Sequence, residues 1–207
     1  MTKLLLATHN DHKVREFRAL LAGDPVTRAR FEVYSLSDIG FHGEIAENGA
    51  TFEENALIKA QAVAREGYLS VADDSGLEVD VLHGAPGVHS ARYADPNRAD
   101  DAANNALLLA RLSDVPAPQR SARFVCAIAC VYPDGTFFTV RGSCEGRITR
   151  QPQGQGGFGY DPLFYVPALG RTFAQLTGEE KNNISHRGRA TAALIAALGQ
   201  RDKEHLC

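Results

Sequence analysis

Hydrophobic and polar positions along the chain follow two periods. Residues 3–7 hold a nearly unbroken apolar run, Leu4-Leu5-Leu6-Ala7, which predicts a buried strand. Residues 13–22 place Phe17, Leu20 and Leu21 on one side at helical spacing, and residues 31–36 read as a second strand. Residues 37–50 are loop-like. The next helix is expected from Thr51 to about Glu66, opened by Thr51-x-x-Glu54 in the manner of a capping box, with Phe52, Ala56, Ala60 and Val63 as its apolar stripe. Residues 69–72 read as a buried strand end. Residues 77–82 alternate apolar and acidic positions, so Asp73 and Asp74 are expected where one strand stops and another starts. Gly84-Ala85-Pro86-Gly87 predicts a tight turn, and residues 88–94 lead to a helix over 100–112 with Leu107, Leu108 and Leu112 inward. A long strand over 120–131, a turn at Pro133-Asp134-Gly135 and a return over 136–143 predict a hairpin. A strand over 163–166 follows, then a capping box or short turn over 176–181. Ser185 opens a last helix with Ala190, Leu194, Ala197 and Leu198 inward, its end (200–207) expected to fray.

Composition narrows the function classes. A length of 207 residues suits one large domain or two closely joined lobes, and 44% hydrophobic with 23% charged residues is ordinary for a soluble globular protein. A net charge of −3 argues against a general nucleic-acid binder, so any phosphate must be met by a local cluster of donors or a metal. No stretch reaches the roughly 18 apolar residues of a membrane span, and the apolar run at the N-terminus is too short for a signal peptide. The four cysteines form no CxxC, and Cys126 and Cys130 fall on one face of a predicted strand. A cytoplasmic protein with reduced thiols is expected.

Four stretches could carry chemistry. In Ala72-Asp73-Asp74-Ser75-Gly76-Leu77, adjacent carboxylates repel unless a cation such as Mg2+ compensates; an Asx turn is the competing reading. Thr8-His9-Asn10-Asp11-His12-Lys13 joins a strand to a helix start. It could seat an anion on helix amides, Thr8, Asn10 and Lys13, or be a plain capped turn. Lys59, with Asn55 one turn before it, lies within the apolar stripe of its helix. It either snorkels to the rim or faces a phosphate-bearing cleft. The segment 151–162 has four glycines between Gly154 and Gly159, with Phe158 and Tyr160 interleaved in a chain only 8% aromatic. Such a loop could lay a ring against a planar base, or serve as a linker. Lys181 is expected to be exposed, and Ser185-His186-Arg187 offers a second positive helix start.

Taken together and in order, these motifs resemble the inosine triphosphate pyrophosphatase family, and most closely its bacterial dITP/XTP form. The resemblance is carried by Thr8-x-Asn10-x-x-Lys13, Glu47-Asn48-Gly49, Phe52-x-x-Asn55-Ala56-x-x-Lys59-Ala60, Ala72-Asp73-Asp74-Ser75-Gly76-Leu77, Gly84-Ala85-Pro86-Gly87, Ser90-Ala91-Arg92-Tyr93, Gly157-Phe158-Gly159-Tyr160-Asp161-Pro162 and Ser185-His186-Arg187-Gly188-Arg189-Ala190. It implies an elongated α/β fold, a long mixed central sheet with helices on its flanks, and two lobes of one domain (1–207) with an active-site cleft between them. It also implies a homodimer using Mg2+ to hydrolyse ITP, dITP or XTP to the monophosphate and pyrophosphate. By position, Thr8, His9, Asn10, Asp11, His12 and Lys13 would form the triphosphate loop. Asp74 and Glu47 would hold the metal, with Asp74 or Asp73 as proton acceptor and Lys59 beside them. Asn55, Ser75, Phe158, Gly159, Tyr160, Asp161, Lys181, His186 and Arg187 would contact substrate. A pyrimidine or modified-base pyrophosphatase of similar fold, and a non-catalytic nucleotide sensor, are the alternatives.

Overall fold

Leu4, Leu5 and Leu6 are all buried, which a strand achieves only when both of its faces are covered. In the computed structural model, residues 1–23, 25–64 and 67–204 are described. They form β1 (Thr2–Leu6), α1 (Asp11–Gly23), α2 (Pro25–Arg30), β2 (Phe31–Ser35), α3 (Phe52–Ala62), β3 (Tyr68–Val79), α4 (Asp101–Arg111), β4 (Ser121–Val131), β5 (Phe137–Ile148), β6 (Phe164–Val166), β7 (Arg171–Thr172), α5 (Gly178–Ile184) and α6 (His186–Glu204). The strands make a seven-stranded mixed sheet in the order β2-β1-β3-β4-β5-β6-β7. The chain divides into two compact units, one of Met1–Asp74, Cys126–Gly142 and Arg187–Cys207, the other of Ser75–Val125 and Ser143–His186. β3, β4 and β5 each contribute residues to both.

In the first unit β1 pairs in parallel with β2 and with β3. Successive residues of β1 enter different cores, as the two-residue period of a strand requires. Leu4 and Leu6 join Phe17 and Leu21 of α1, Cys126, Ile128 and Cys130 of β4, and Ala190, Leu194 and Leu198 of α6. Leu5 and Ala7 join Ala56 and Ala60 of α3, Val63, Ala129 and Val131. Helices thus cover each side of the strand, and the all-apolar run follows from that. In the second unit β5, β6 and β7 are antiparallel neighbours. Leu77, Val79, Phe124, Ile148, Phe164, Val166 and Phe173 pack there with Leu108 and Leu112 at the end of α4.

Several expectations change. β3 is one strand of twelve residues with Asp73 and Asp74 in its middle, not a junction of two strands. Sequence reasoning reserves carboxylates for strand ends because a buried charge is costly, but here cations meet both of them. The alternation after Leu77 ends at Val79, and Asp80–Leu82 is a 3-10 turn. Thr51 caps α3 as expected by accepting from the Glu54 amide. The Glu54 carboxylate instead takes the Ala50 amide, so the box is not reciprocal. α3 ends at Ala62, and Glu66 lies outside the described residues. Residues 200–204, expected to fray, continue α6, and 205–207 lie outside the described residues. The box opening α5 is complete: Thr177 and Glu180 each cap the other's amide.

Glu180 also receives Arg171, and these bonds hold its carboxyl down at about 2. A depressed carboxyl contributes stability above its unfolded value, which is lost as pH falls through the folded one. Glu180→Gln should therefore leave a shallower decline of Tm between about pH 4.5 and pH 2. An unchanged acid limb would show that the pair adds nothing.

Candidate active site

A set of ionisable groups of the first unit, Lys13, Glu47, Lys59, Asp73, Asp74 and Arg187, converges around the middle of β3. Lys59, on the buried face of α3, places its Nζ 3.0 Å from Asp74 Oδ1 and 2.9 Å from Glu47 Oε2. Its side chain is 8% exposed, so it does not snorkel; it is a buried ammonium shared by two carboxylates. Asn55, one turn earlier and also buried, donates to Asp74 Oδ2 at 3.1 Å and accepts from the Gly49 amide at 2.8 Å. The Asn55 carboxamide is therefore an orienter of Asp74 rather than an open substrate ligand. A Cβ on Gly49 would stand 2.7 Å from Glu54 Cβ and 2.9 Å from Asn55 Oδ1. Only glycine lets the loop that carries Glu47 close on α3 here.

Asp73, on the neighbouring strand position, is met by other cations. Lys13 Nζ of α1 lies 3.0 Å from its Oδ2, and the Arg187 guanidinium of α6 lies 3.2 Å from the same oxygen. Arg187 also pairs with Glu16 of α1. Carboxylates and cations thus alternate from Glu16 through Arg187 and Asp73 to Lys13. The two aspartates are driven apart electrostatically. Burial pushes the Asp73 carboxyl up, but Lys13, Arg187 and Lys59 more than reverse this and hold it well below the ordinary range. Burial also pushes up Asp74; Lys59 and Lys13 oppose it, Glu47 reinforces it, and its carboxyl stays above the ordinary value. Glu47, more open, is raised by burial but lowered further by Lys59, and ends below its usual value. The protein thus offsets the charge of Asp74 less completely than that of Asp73. Asp74 and Glu47 are hard oxygen donors grouped on one lysine, the kind and number of protein ligands that Mg2+ commonly takes, with water and phosphate oxygens completing its shell.

The loop before α1 is organised as a capped turn. Asn10 Oδ1 accepts from the His12 and Lys13 amides at 2.9 and 3.2 Å, and Thr8 Oγ1 accepts from the Asn10 amide. His9 Nε2 bonds Gly43 O, and His12 Nδ1 bonds Arg15. His9, Asn10, Asp11 and His12 are exposed, while Thr8 and Lys13 are half-buried. The loop is thus a capped turn whose Lys13 leans onto Asp73.

The second unit gathers the glycine-rich segment and α5. Asp161 is buried; its Oδ2 accepts from the Phe158 amide at 3.0 Å and from Lys181 Nζ at 2.7 Å. Lys181, expected to be exposed, is 6% exposed, because this carboxylate compensates it and the Phe158 ring lies 4.9 Å from its ammonium. Tyr160, read from sequence as a flat surface, is core: it is buried in the cluster that also holds Phe164 and Phe173, and its hydroxyl donates to Ser90 O. Phe158 remains half-buried. His186 is stacked on Phe124 at 4.8 Å. Ser75 sits half-buried beside Asp74 in β3. The expected open donor at Arg187 is instead a sealed guanidinium between Asp73 and Glu16. Sequence reasoning missed Glu16, and it missed Asp101 and Asn105 of α4, which bond the Gly159 amide and carbonyl at 2.6 and 2.9 Å. Polar residues three or four apart on a helix are too common to mark a distant partner.

The model of the Ham1 family matches residues 4–197. A dITP/XTP pyrophosphatase of Exiguobacterium sibiricum is 52% identical over 197 residues, covering 95% of this chain and 96% of that protein. The crystal structure of a nucleoside-triphosphatase, also called dITP/XTP pyrophosphatase, from Mycobacterium abscessus is 50% identical with a TM-score of 0.73, covering 93% of this chain and 98% of that one. A HAM1 protein structure from Coxiella burnetii reaches a TM-score of 0.84 at 39% identity, over 97% of this chain and 100% of that one. With nearly its whole length matched in sequence and in three dimensions, the chain belongs to the Ham1 family.

Proposed function

We propose that this protein is a nucleoside triphosphate pyrophosphohydrolase that converts ITP, dITP and XTP to the monophosphate and pyrophosphate, keeping these nucleotides out of DNA and RNA. The observation that carries the reading is the meeting of Lys13, Lys59, Asp74 and Glu47, from four separate stretches of sequence, within one unit. A triphosphate carries about four negative charges near neutrality, and an acidic chain can accept it only at such a convergence. Its relatives' names supply the substrate class.

In the mechanism we propose, water attacks the α-phosphorus, the bond to the bridging oxygen breaks, and pyrophosphate leaves. Asp74 accepts the proton of the attacking water. Asp73 is set aside for that task because its side chain is sealed from solvent and committed to Lys13 and Arg187. Lys59 and Lys13 offset the charge that develops on the leaving pyrophosphate. Asp74 and Glu47 would hold Mg2+, which supplies charge neutralisation at the phosphate oxygens and acidifies a bound water. Base recognition is assigned to the second unit, to Phe158, Lys181 and His186, with donors that reward the 6-keto group of hypoxanthine and xanthine. Adenine would leave such a donor unpaired, at a cost of ~1–3 kcal/mol. We extend the proposal to one functional domain, because three strands run through both units, and to a homodimer on the family resemblance. Buried, unbridged Cys126, Cys130 and Cys144 fit a reducing cytoplasm. No helix among the described residues is long and apolar enough to cross a membrane.

The test is pyrophosphate release from ITP, XTP, dTTP, GTP and ATP, with Mg2+ and with chelator. Turnover of ITP and XTP that chelator removes and Mg2+ restores is expected. Preference for dTTP would favour a pyrimidine enzyme, and no turnover a sensor. Lys59→Met should raise KM for the triphosphate, and weaken tripolyphosphate binding, by about tenfold or more, a loss of at least ~1.4 kcal/mol, while inosine monophosphate binds nearly as before. Equal losses for both would reduce Lys59 to a packing role.

A further inference from the structure

The segment around Phe158 has a second support besides Asp161. Gly159 Cα lies between two held peptide groups: its N–H donates to Asp101 Oδ2 at 2.6 Å, and its carbonyl accepts from Asn105 Nδ2 at 2.9 Å. Asp101 and Asn105 are one turn apart on α4, so a single rigid helix face grips one residue from both sides. Gly159 takes a positive φ of 60°, which glycine adopts without strain. On the other flank of Phe158, a Cβ at Gly157 would come within 2.0 Å of Asp161 Oδ2, so the carboxylate fills the space a side chain would need. The backbone on both sides of the Phe158 ring is thereby fixed, by Asp161 before it and by α4 after it. A glycine-rich segment left alone samples many conformations, and each would aim the ring differently.

We propose that Asp101 and Asn105 are positioning residues for base recognition: they hold Gly159 so that the Phe158 ring is preset as a stacking surface for a purine. This rests on the function proposed above. Neither residue touches the substrate. Their contribution is preorganisation, which raises affinity by removing an ordering cost from the binding step. The charged acceptor at Asp101 gives the stronger of the two bonds.

Asp101→Ala and Asn105→Asp test this, with Asp101→Asn as the conservative control. The aspartate at 105 is isosteric but cannot donate to the Gly159 carbonyl. Three readouts separate positioning from bulk structure. Hydrogen exchange at the Gly159 amide should speed up at least tenfold in Asp101→Ala and far less in Asp101→Asn, which keeps an acceptor oxygen. Inosine monophosphate should bind each disruptive variant about five- to tenfold more weakly, as expected for loss of one such bond, while tripolyphosphate binding stays the same. KM for ITP should rise by the same factor with kcat nearly unchanged, and Tm should stay within a few degrees. Unaltered inosine monophosphate affinity despite faster exchange at Gly159 would overturn the proposal, and so would parallel losses for tripolyphosphate. Absence of ITP turnover in the unmodified protein would instead defeat the functional reading, since the exchange and binding measurements need no catalysis.

Discussion

Asp74→Asn should lower kcat for ITP by about 10²–10⁴-fold, the usual worth of a positioned proton acceptor, with little change in stability. The two halves of this expectation have different causes. Asparagine cannot take a proton from water, so turnover falls whatever else binds. Stability is spared because the Asp74 carboxylate is held above its ordinary value, which means the folded state disfavours its charge. Removing that charge relieves the repulsion from Glu47, while Lys59 keeps Glu47 as a partner. Against this gain, one of the two bonds now made to Lys59 and Asn55 is weakened, costing about 1 kcal/mol. Thermal unfolding should move by only a few degrees. Turnover close to that of the unmodified protein would remove Asp74 from the chemistry.

Arg187→Met should act in the opposite way, mainly on stability. Arg187 is 1% exposed and its guanidinium lies between Asp73 and Glu16. Methionine fills much of the volume but takes from buried Asp73 one of the cations that meet it. Breaking a buried pair by removing one partner typically costs 3–5 kcal/mol, or about 10 °C in Tm for a chain of this size. Calorimetry with parallel binding of inosine monophosphate decides the matter. A stable variant that has lost nucleoside affinity would return Arg187 to the nucleoside-binding role that its place in the Ser185-His186-Arg187 motif suggests.

Much of the architecture was legible because it rests on local period. The leucine run of β1, the stripe of α3 and the turn at Pro133-Asp134-Gly135 each carry their own signal within a dozen residues. The Lys59 anomaly was legible too, since a cation within an apolar stripe demands an anion, and Asp74 and Glu47 are that anion. What sequence reasoning misjudged depends on partners far away along the chain. Asp73 and Asp74 looked too charged for the middle of a strand because Lys13 and Arg187, which neutralise Asp73, lie 60 and 114 positions distant. Lys181 looked exposed because nothing near it foretells Asp161. Tyr160 looked like a binding surface because the core cluster it joins draws on β6 and the turn after β7. The different environments of the two aspartates could not be read from a pair of adjacent identical letters; they follow from which cations each one meets.

The thiols have a practical consequence for anyone handling this protein. Oxidants and alkylating reagents attack the thiolate, and Cys126 denies them one: it is fully enclosed and its ionisation is pushed up to about 12 by burial. Cys130 and Cys144 are enclosed as well. Among the described residues, peroxide or iodoacetamide therefore finds no reactive sulfur beside Asp73, and Asp73 and its cations carry no redox fuse.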